Sequence, residues 1–274
     1  TEDGLRWRRG EMANEGGKAN NRHWRGRFVA EEGLFERMEA EGGFPNAEAV
    51  ERWKLWVTLG DAAFEAALNI HYRPTRQVEP AFWRDARLNA ASQPVVGVCW
   101  YEARAYCAWL SAQAGLAFSL PTEVQWEAAL RGAEASAYPW GDDFDPTRAN
   151  TFETHIRRTT PVGAFPEGDS ASGVADGAGN VDEWTSSLWG LMEDADRKDP
   201  EFGYPYDSDD GRENFDAPPS AARVLRGGSW YDFQYGCLAA ARNLSFPAFR
   251  LNFSGFRVVG ASSNFPEPLA SGAA

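Results

Sequence analysis

Lysine is nearly missing from this chain, with three residues against 24 arginines. Lys and Glu enrichment is the commoner mark of heat adaptation, so the balance fits a codon bias toward Arg, Ala and Gly better. Cysteine is scarce too. Cys99, Cys107 and Cys237 are odd in number and form no CxxC pair, which excludes a disulfide framework and predicts reduced thiols in or near a core. No run of 18 apolar residues exists, so no membrane insertion through an apolar helix is expected, and no secretory signal opens the chain at Thr1. The patterns GxSxG, HExxH and the phosphate-binding loop are missing, and no acid pair stands out. A net charge of -13 argues against nucleic acid, because phosphate binding needs a basic surface. What is present is a 274-residue chain, 43% hydrophobic, with 12 Trp and a combined 43 Gly and Pro. That suffices for one large or two small cores joined by extensive loops.

Local signals are uneven. Residues 1–50 are rich in Gly, Glu and Arg, hold room for a short helix within 31–43, and read as an N-terminal extension or cap of unplaced structure. Thr58 is a candidate cap for a helix over 58–68, with Asp61 in its first turn and Phe64, Ala67 and Leu68 on its inner face. Ala103, Cys107, Leu110 and Ala114 recur at spacings of 4, 3 and 4, predicting a helix over 101–114 ended by Gly115. Thr122 with Gln125 is a capping box for a helix over 123–131, ended by Gly132. Beyond it, Gly, Pro and Asn dominate, and short strands with long loops are expected. Residues 192–216 carry ten acids against three bases and read as a solvated loop. Trp126, Trp140, Trp184 and Trp230 are expected as core anchors whose indole N–H groups find acceptors.

The stretch RGGSWYDFQYGCLAAARNLSFPAFRLNFSGFR, residues 226–257, is the puzzle. It is dense in rings, lacks Lys and Glu, and follows neither a helical nor a strand period. Large aromatic surface that no core periodicity places is the composition of a recognition surface, where rings give contact area at little entropic cost.

Six phrases, PVVGVCWYEARAYCAWLS, LPTEVQWEAALRG, YPWGD, GNVDEWT, RVLRGGSW and GFRVV, follow one another in this order. Together they resemble the formylglycine-generating-enzyme (sulfatase-modifying factor) family over about residues 50–260. The resemblance implies an α+β domain with a C-type lectin fold: few helices, short twisted sheets and much irregular loop. It places this domain at 51–274, with 1–50 as the extension. The family's oxidases carry two cysteines, at the third and eighth residues after the Ser of the RGGSW phrase. Here those positions are Asp232 and Cys237. Copper(I) wants paired soft thiolates, so the formylglycine-generating-type oxidoreductase is the second reading and no catalytic residue is assigned. The related sulfoxide synthases hold iron with histidines; His23, His71 and His155 show no HxxxH spacing. The family's GN-V-W-E-W turn can bind calcium, and the matching residues are Asn180 and Glu183, with Asp182 where the family usually has Trp.

Another branch of the same fold fits the C-terminal segment. Variable proteins of diversity-generating retroelements resemble this chain in having a segment that opens near a GGSW-like phrase and closes on a G-F/A-R strand. Between these anchors, adenine-specific mutagenesis rewrites positions, typically from Asn codons, and cannot yield Lys, Glu, Gln, Met or Trp. In 231–254 only Gln234 belongs to that set. The resemblance implies a non-catalytic ligand-binding or display protein, on a cell surface or a phage particle, whose variable segment lies at about 230–257. Its expected recognition residues are Tyr231, Asp232, Phe233, Tyr235, Leu244, Ser245, Phe246, Phe249, Leu251 and Phe253, meeting a protein or another surface molecule. Cys237, Ala239, Ala240 and Arg242 are expected as scaffold between them, and Trp230 and Phe256 as core.

Overall fold

The computed structural model describes residues 2–10, 15–44, 46–73, 76–191 and 200–260. The first part is helical: α1 (Glu2–Arg9), α2 (Glu15–Ala30), α3 (Leu34–Ala40), α4 (Ala47–Thr58) and α5 (Asp61–His71). Asn46 starts α4, its side chain accepting from the Ala49 N–H at 2.8 Å. Ala49, Trp53 and Trp56 follow at helical spacing and turn inward. Trp53 and Trp56 meet Phe35, Phe64 and Leu68 in one cluster, with Trp24, Phe28 and Phe44 packed on its edge. The rings meet edge to face, Phe28 on Trp53 at 5.2 Å and Trp56 on Phe64 at 5.7 Å.

This corrects two expectations. The boundary at residue 50 falls inside α4, because the apolar stripe of α4 is shared with α2, α3 and α5. The helix expected over 58–68 runs instead over Asp61–His71 behind Gly60. Thr58 closes the preceding helix, its hydroxyl donating to the Leu55 carbonyl at 2.8 Å.

The next two helices lie where spacing and capping put them. In α6 (Trp100–Ala114) the Glu102 carboxylate accepts from the Cys99 N–H at 2.9 Å, and Gly115 ends the helix in the left-handed region. In α7 (Glu123–Arg131) Thr122 and Gln125 bond each other's backbone N–H reciprocally, at 3.1 and 3.0 Å. A two-residue strand β1 (Phe118–Ser119) joins them.

The remainder is short strands and loops. β2 (Asp182–Leu191), β3 (Ala221–Arg226), β4 (Arg242–Ser245) and β5 (Ser254–Gly255) form one sheet in the order β4-β3-β2-β5, with only the β2–β5 pair parallel. β6 (Val259–Gly260) returns to pair with β1. Buried on nearly its whole length, β2 is the centre of the molecule. Its Trp184 enters the main core with Trp100, Tyr101 and Leu120, its Trp189 packs with Ala222 and Val224, and its Thr185 donates to the Val224 carbonyl at 2.9 Å. The expected anchors divide. Trp126 donates to Glu183 at 2.8 Å and Trp184 to the Val98 carbonyl at 3.0 Å, and both are buried. Trp140 is only half-buried, stacked on Tyr138 at 5.2 Å. Trp230 is buried, yet its N–H has no acceptor among the described residues. All three cysteines are buried free thiols.

Of the acidic stretch 192–216, residues 192–199 lie outside the described residues, as do 261–274 of the expected domain. From 200 onward the stretch is not simply a solvated loop. Arg212 is buried and bonded to Glu123 and Asp210, and Glu213 accepts from Ser186 and Ser187 of β2. Glu123, also buried, takes a second guanidinium from Arg242 at 2.6 Å. Charges this deep persist because each is paired and hydrogen-bonded.

Candidate recognition surface

The RGGSW phrase is a turn that fixes everything after it. β3 ends at Arg226, and Gly227 and Gly228 follow with φ of 98° and 64°. A Cβ on Gly228 would lie 2.7 Å from both Cys237 Sγ and the Gly236 carbonyl oxygen, so only glycine lets the two stretches approach. Arg226, fully buried, donates to the carbonyls of Ala239, Ala240 and Ala241 at 3.0, 3.1 and 2.7 Å, and pairs with Glu127. One guanidinium thereby clamps three successive residues in the middle of the aromatic segment. The expected scaffold residues Ala239 and Ala240 sit in that clamp.

On either side of it the segment reaches the surface at three places. Tyr231, Leu251 and Phe253 line a groove of about 880 Å³ together with the buried Trp230. The Tyr231 and Phe253 rings stack at 5.6 Å and 8°. Residues far away in sequence complete the lining: Glu41 to Phe44 after α3, then Phe82 and Leu88. Beside the groove stands a ridge. Phe233 and Tyr235 are 52% and 70% exposed, and Phe233 lies against Phe152 at 4.3 Å.

The third place departs from expectation. Leu244 and Ser245 belong to β4, where Leu244 packs on Trp189, Ala222 and Val224, and Ser245 is buried opposite Arg223. Ser245 therefore offers nothing to a partner, because the sheet uses it. Phe246 and Phe249 are half-buried and pack on each other at 5.5 Å, away from the groove lining. Asp232 is also used internally, its carboxylate accepting from the Ser229 N–H and hydroxyl at 3.0 and 2.6 Å. Phe256 is only half-buried, resting on the main core and on Tyr106 at 5.5 Å. Sequence reasoning missed Glu41 to Phe44, Phe82 and Leu88, and also Arg157 and Arg158, in the lining. No local pattern marks them, since only the tertiary fold carries them to Tyr231.

The metal readings do not fit the donors. Glu183 accepts from Trp126 and forms an ion pair with both arms of Arg257. The Asn180 amide oxygen accepts from the Thr160 N–H at 2.9 Å, and its Nδ2 donates to the Thr160 carbonyl. A guanidinium already neutralises the carboxylate that calcium would need, so the donors at Asn180 and Glu183 do not suit the expected calcium. Copper fares no better. Cys237 is alone with Asp232, and burial, followed by the Asp232 and Asp182 charges, pushes its thiol well above the ordinary range. A reactive or metal-binding thiol needs the opposite. Among the described residues no group of three His, Cys, Asp or Glu is arranged to hold a metal.

Asp182 is a second oddity of this region. It is fully buried, accepts from Asn243 Nδ2 at 3.0 Å, and its other oxygen is unbonded among the described residues. Burial first, and the neighbouring Asp232 second, raise its carboxyl well above the usual range. Burial also raises Asp232, against its Ser229 bonds.

A mixed α+β chain with a small curled sheet, a buried central strand and two capped helices against it defines a C-type lectin fold of the formylglycine-generating type. Residues 26–262 match the sulfatase-modifying factor enzyme 1-like domain, and the chain belongs to that family. Curated relatives include the inactive C-alpha-formylglycine-generating enzyme 2 of Bos taurus, 34% identical over 57% of this chain and 46% of its own length. The formylglycine-generating enzyme of Bos taurus is 31% identical over 61% and 46%, and the hercynine oxygenase of Mycobacterium tuberculosis 33% over 65% and 42%. The chain thus spans less than half of these relatives. Among solved structures, Treponema denticola variable protein 1 is similar at 24% identity and a TM-score of 0.48, over 66% of this chain and 74% of that one.

Proposed function

We propose that this chain is a non-catalytic recognition protein, a variable protein of a diversity-generating retroelement displayed on a cell surface or phage particle. In this reading the segment 230–257 meets a protein or another surface molecule. The observation that carries it is the groove of about 880 Å³ walled by Tyr231, Leu251 and Phe253, continued by the exposed Phe233 and Tyr235. An apolar concavity of this size with a few polar groups at its mouth is the usual form of a binding site, and contiguous exposed rings mark interaction surfaces. The clamp by Arg226 supports the same reading, since a fixed backbone lets side chains change without loss of shape. Asp232 and the single buried Cys237, in place of a pair of cysteines, disfavour the oxidase alternative.

The test is selection of a displayed random peptide library on the immobilised protein, followed by titration of the enriched peptides against wild type and variants. Binding that falls at least tenfold in both Tyr231→Ser and Phe253→Ser supports the reading. Enrichment indifferent to both substitutions, or no enrichment, overturns it. Sequencing beside the gene supplies a second check. The account predicts a near-copy of the coding segment for 230–257 with Asn codons at the surface positions, next to a reverse-transcriptase gene.

A further inference from the structure

The groove has an electrical side as well as an apolar one. The chain carries -13 overall, yet the side chains at the groove include four arginines and a single carboxylate, Glu41. Two of the arginines are already used: Arg250 pairs with Glu102, and Arg87 with Asp85. Arg157 and Arg158 are exposed and have no carboxylate partner among the described residues. Their loop is built, not loose. The Arg158 carbonyl accepts from the buried Asn150 at 2.8 Å, and Thr160 is held by Asn180. His155 and Arg157 both have left-handed backbones, with φ of 57° and 60°. Such conformations cost free energy in non-glycine residues and persist where surrounding structure enforces them. The enforced loop sets the Arg157 guanidinium 3.4 Å above the Phe152 ring, and Phe152 in turn packs against Phe233 with the rings tilted by 40°. One cation thus stands between the groove and the ridge, pre-oriented at the junction of the two apolar surfaces.

Resting on the recognition reading above, we propose that the partner presents an acidic peptide segment. Its apolar or aromatic side chain fills the groove against Tyr231 and Phe253, and its carboxylates meet Arg157 and Arg158. Guanidinium pairs with carboxylate as a fork, so the loop sets the direction in which the segment lies. Glu41, the one carboxylate of the lining, repels the same carboxylates and favours their placement at the arginines. A local basic loop on an acidic protein also makes the encounter selective, because beyond a Debye length of about 8 Å at physiological salt the overall negative charge is screened.

The experiment uses one defined pair of peptides, a Trp flanked by Asp and Glu residues and the same peptide with Asn and Gln in their place. Both are titrated against the wild-type chain, the Arg157→Glu/Arg158→Glu double variant, and Arg158→Glu alone in case the double variant disturbs the loop. The acidic peptide is expected to bind about three- to tenfold more tightly than its amide counterpart, as expected for one or two exposed ion pairs. The difference should vanish in either variant and shrink with added salt. Equal binding of the two peptides, with both lost in Phe253→Ser, would overturn the acidic-partner proposal and leave the recognition reading standing. Failure of both peptides overturns the proposal, and the library selection then judges the recognition reading by itself. A sulfated oligosaccharide of equal charge that competes as well as the peptide shows a general anion site and also counts against the proposal.

Discussion

Asp182 and Asp232 stand where the family pattern has an indole and a thiol, and the fold makes them electrical neighbours in a buried space. A carboxyl raised by burial contributes stability that is fully present below its unfolded pKa and is lost as pH rises toward the folded one. Wild type should therefore weaken relative to Asp182→Asn as pH increases from about 5 to 8, and urea unfolding at a series of pH values reads the difference. Parallel curves would contradict the assignment. Glu183 is a carboxylate held by Arg257 and Trp126. Removing its charge in Glu183→Gln leaves a mostly buried guanidinium uncompensated and should cost about 3 kcal/mol. Calcium addition or chelation should leave the melting temperature unchanged, because the residues once expected to bind it bond Arg257 and Thr160 instead. The sequence showed both departures, Asp182 and Asp232, but not that they meet. Residues 50 apart gave no sign of their distance in space.

Elements were legible where a local rule closes on itself. Thr122 with Gln125, and Gly115 and Gly132 as stops, defined α6 and α7 almost to the residue. In contrast, α2 contains Gly16, Gly17 and Gly26, each costing roughly 1 kcal/mol in helix propensity, and reads as loop until Trp24 and Phe28 find α4 and α3. The aromatic segment was legible as unusual, not as three places. Phe233 caps a short 3-10 helix, Gln234–Cys237, and Tyr235 lies within it, whereas Leu244 and Ser245 are consumed by β4, and ring count cannot distinguish these. The contrast is measurable. Phe233→Ser and Tyr235→Ser should each change stability by no more than roughly 0.5 kcal/mol, and Trp230→Ala should cost about 3–5 kcal/mol. In the turn before them, Gly228→Ala should cost at least about 1–3 kcal/mol, since it adds both left-handed strain and a clash with Cys237.

At the scale of the whole molecule, the N-terminal helices do more than cap the domain. They bring Glu41 to Phe44 into the lining of the groove that holds Tyr231 and Phe253, so the proposed recognition surface is complete only when the two parts meet. Phe44→Ser should weaken a selected peptide while leaving the Phe233–Tyr235 ridge intact. The most direct test of the account is hydrogen–deuterium exchange of the chain with and without a peptide selected on it. The account predicts protection at 40–44, 155–158, 230–235 and 250–253, with the face around Trp140 unaffected. Protection centred on that other face, with none at 230–235 and 250–253, would contradict it.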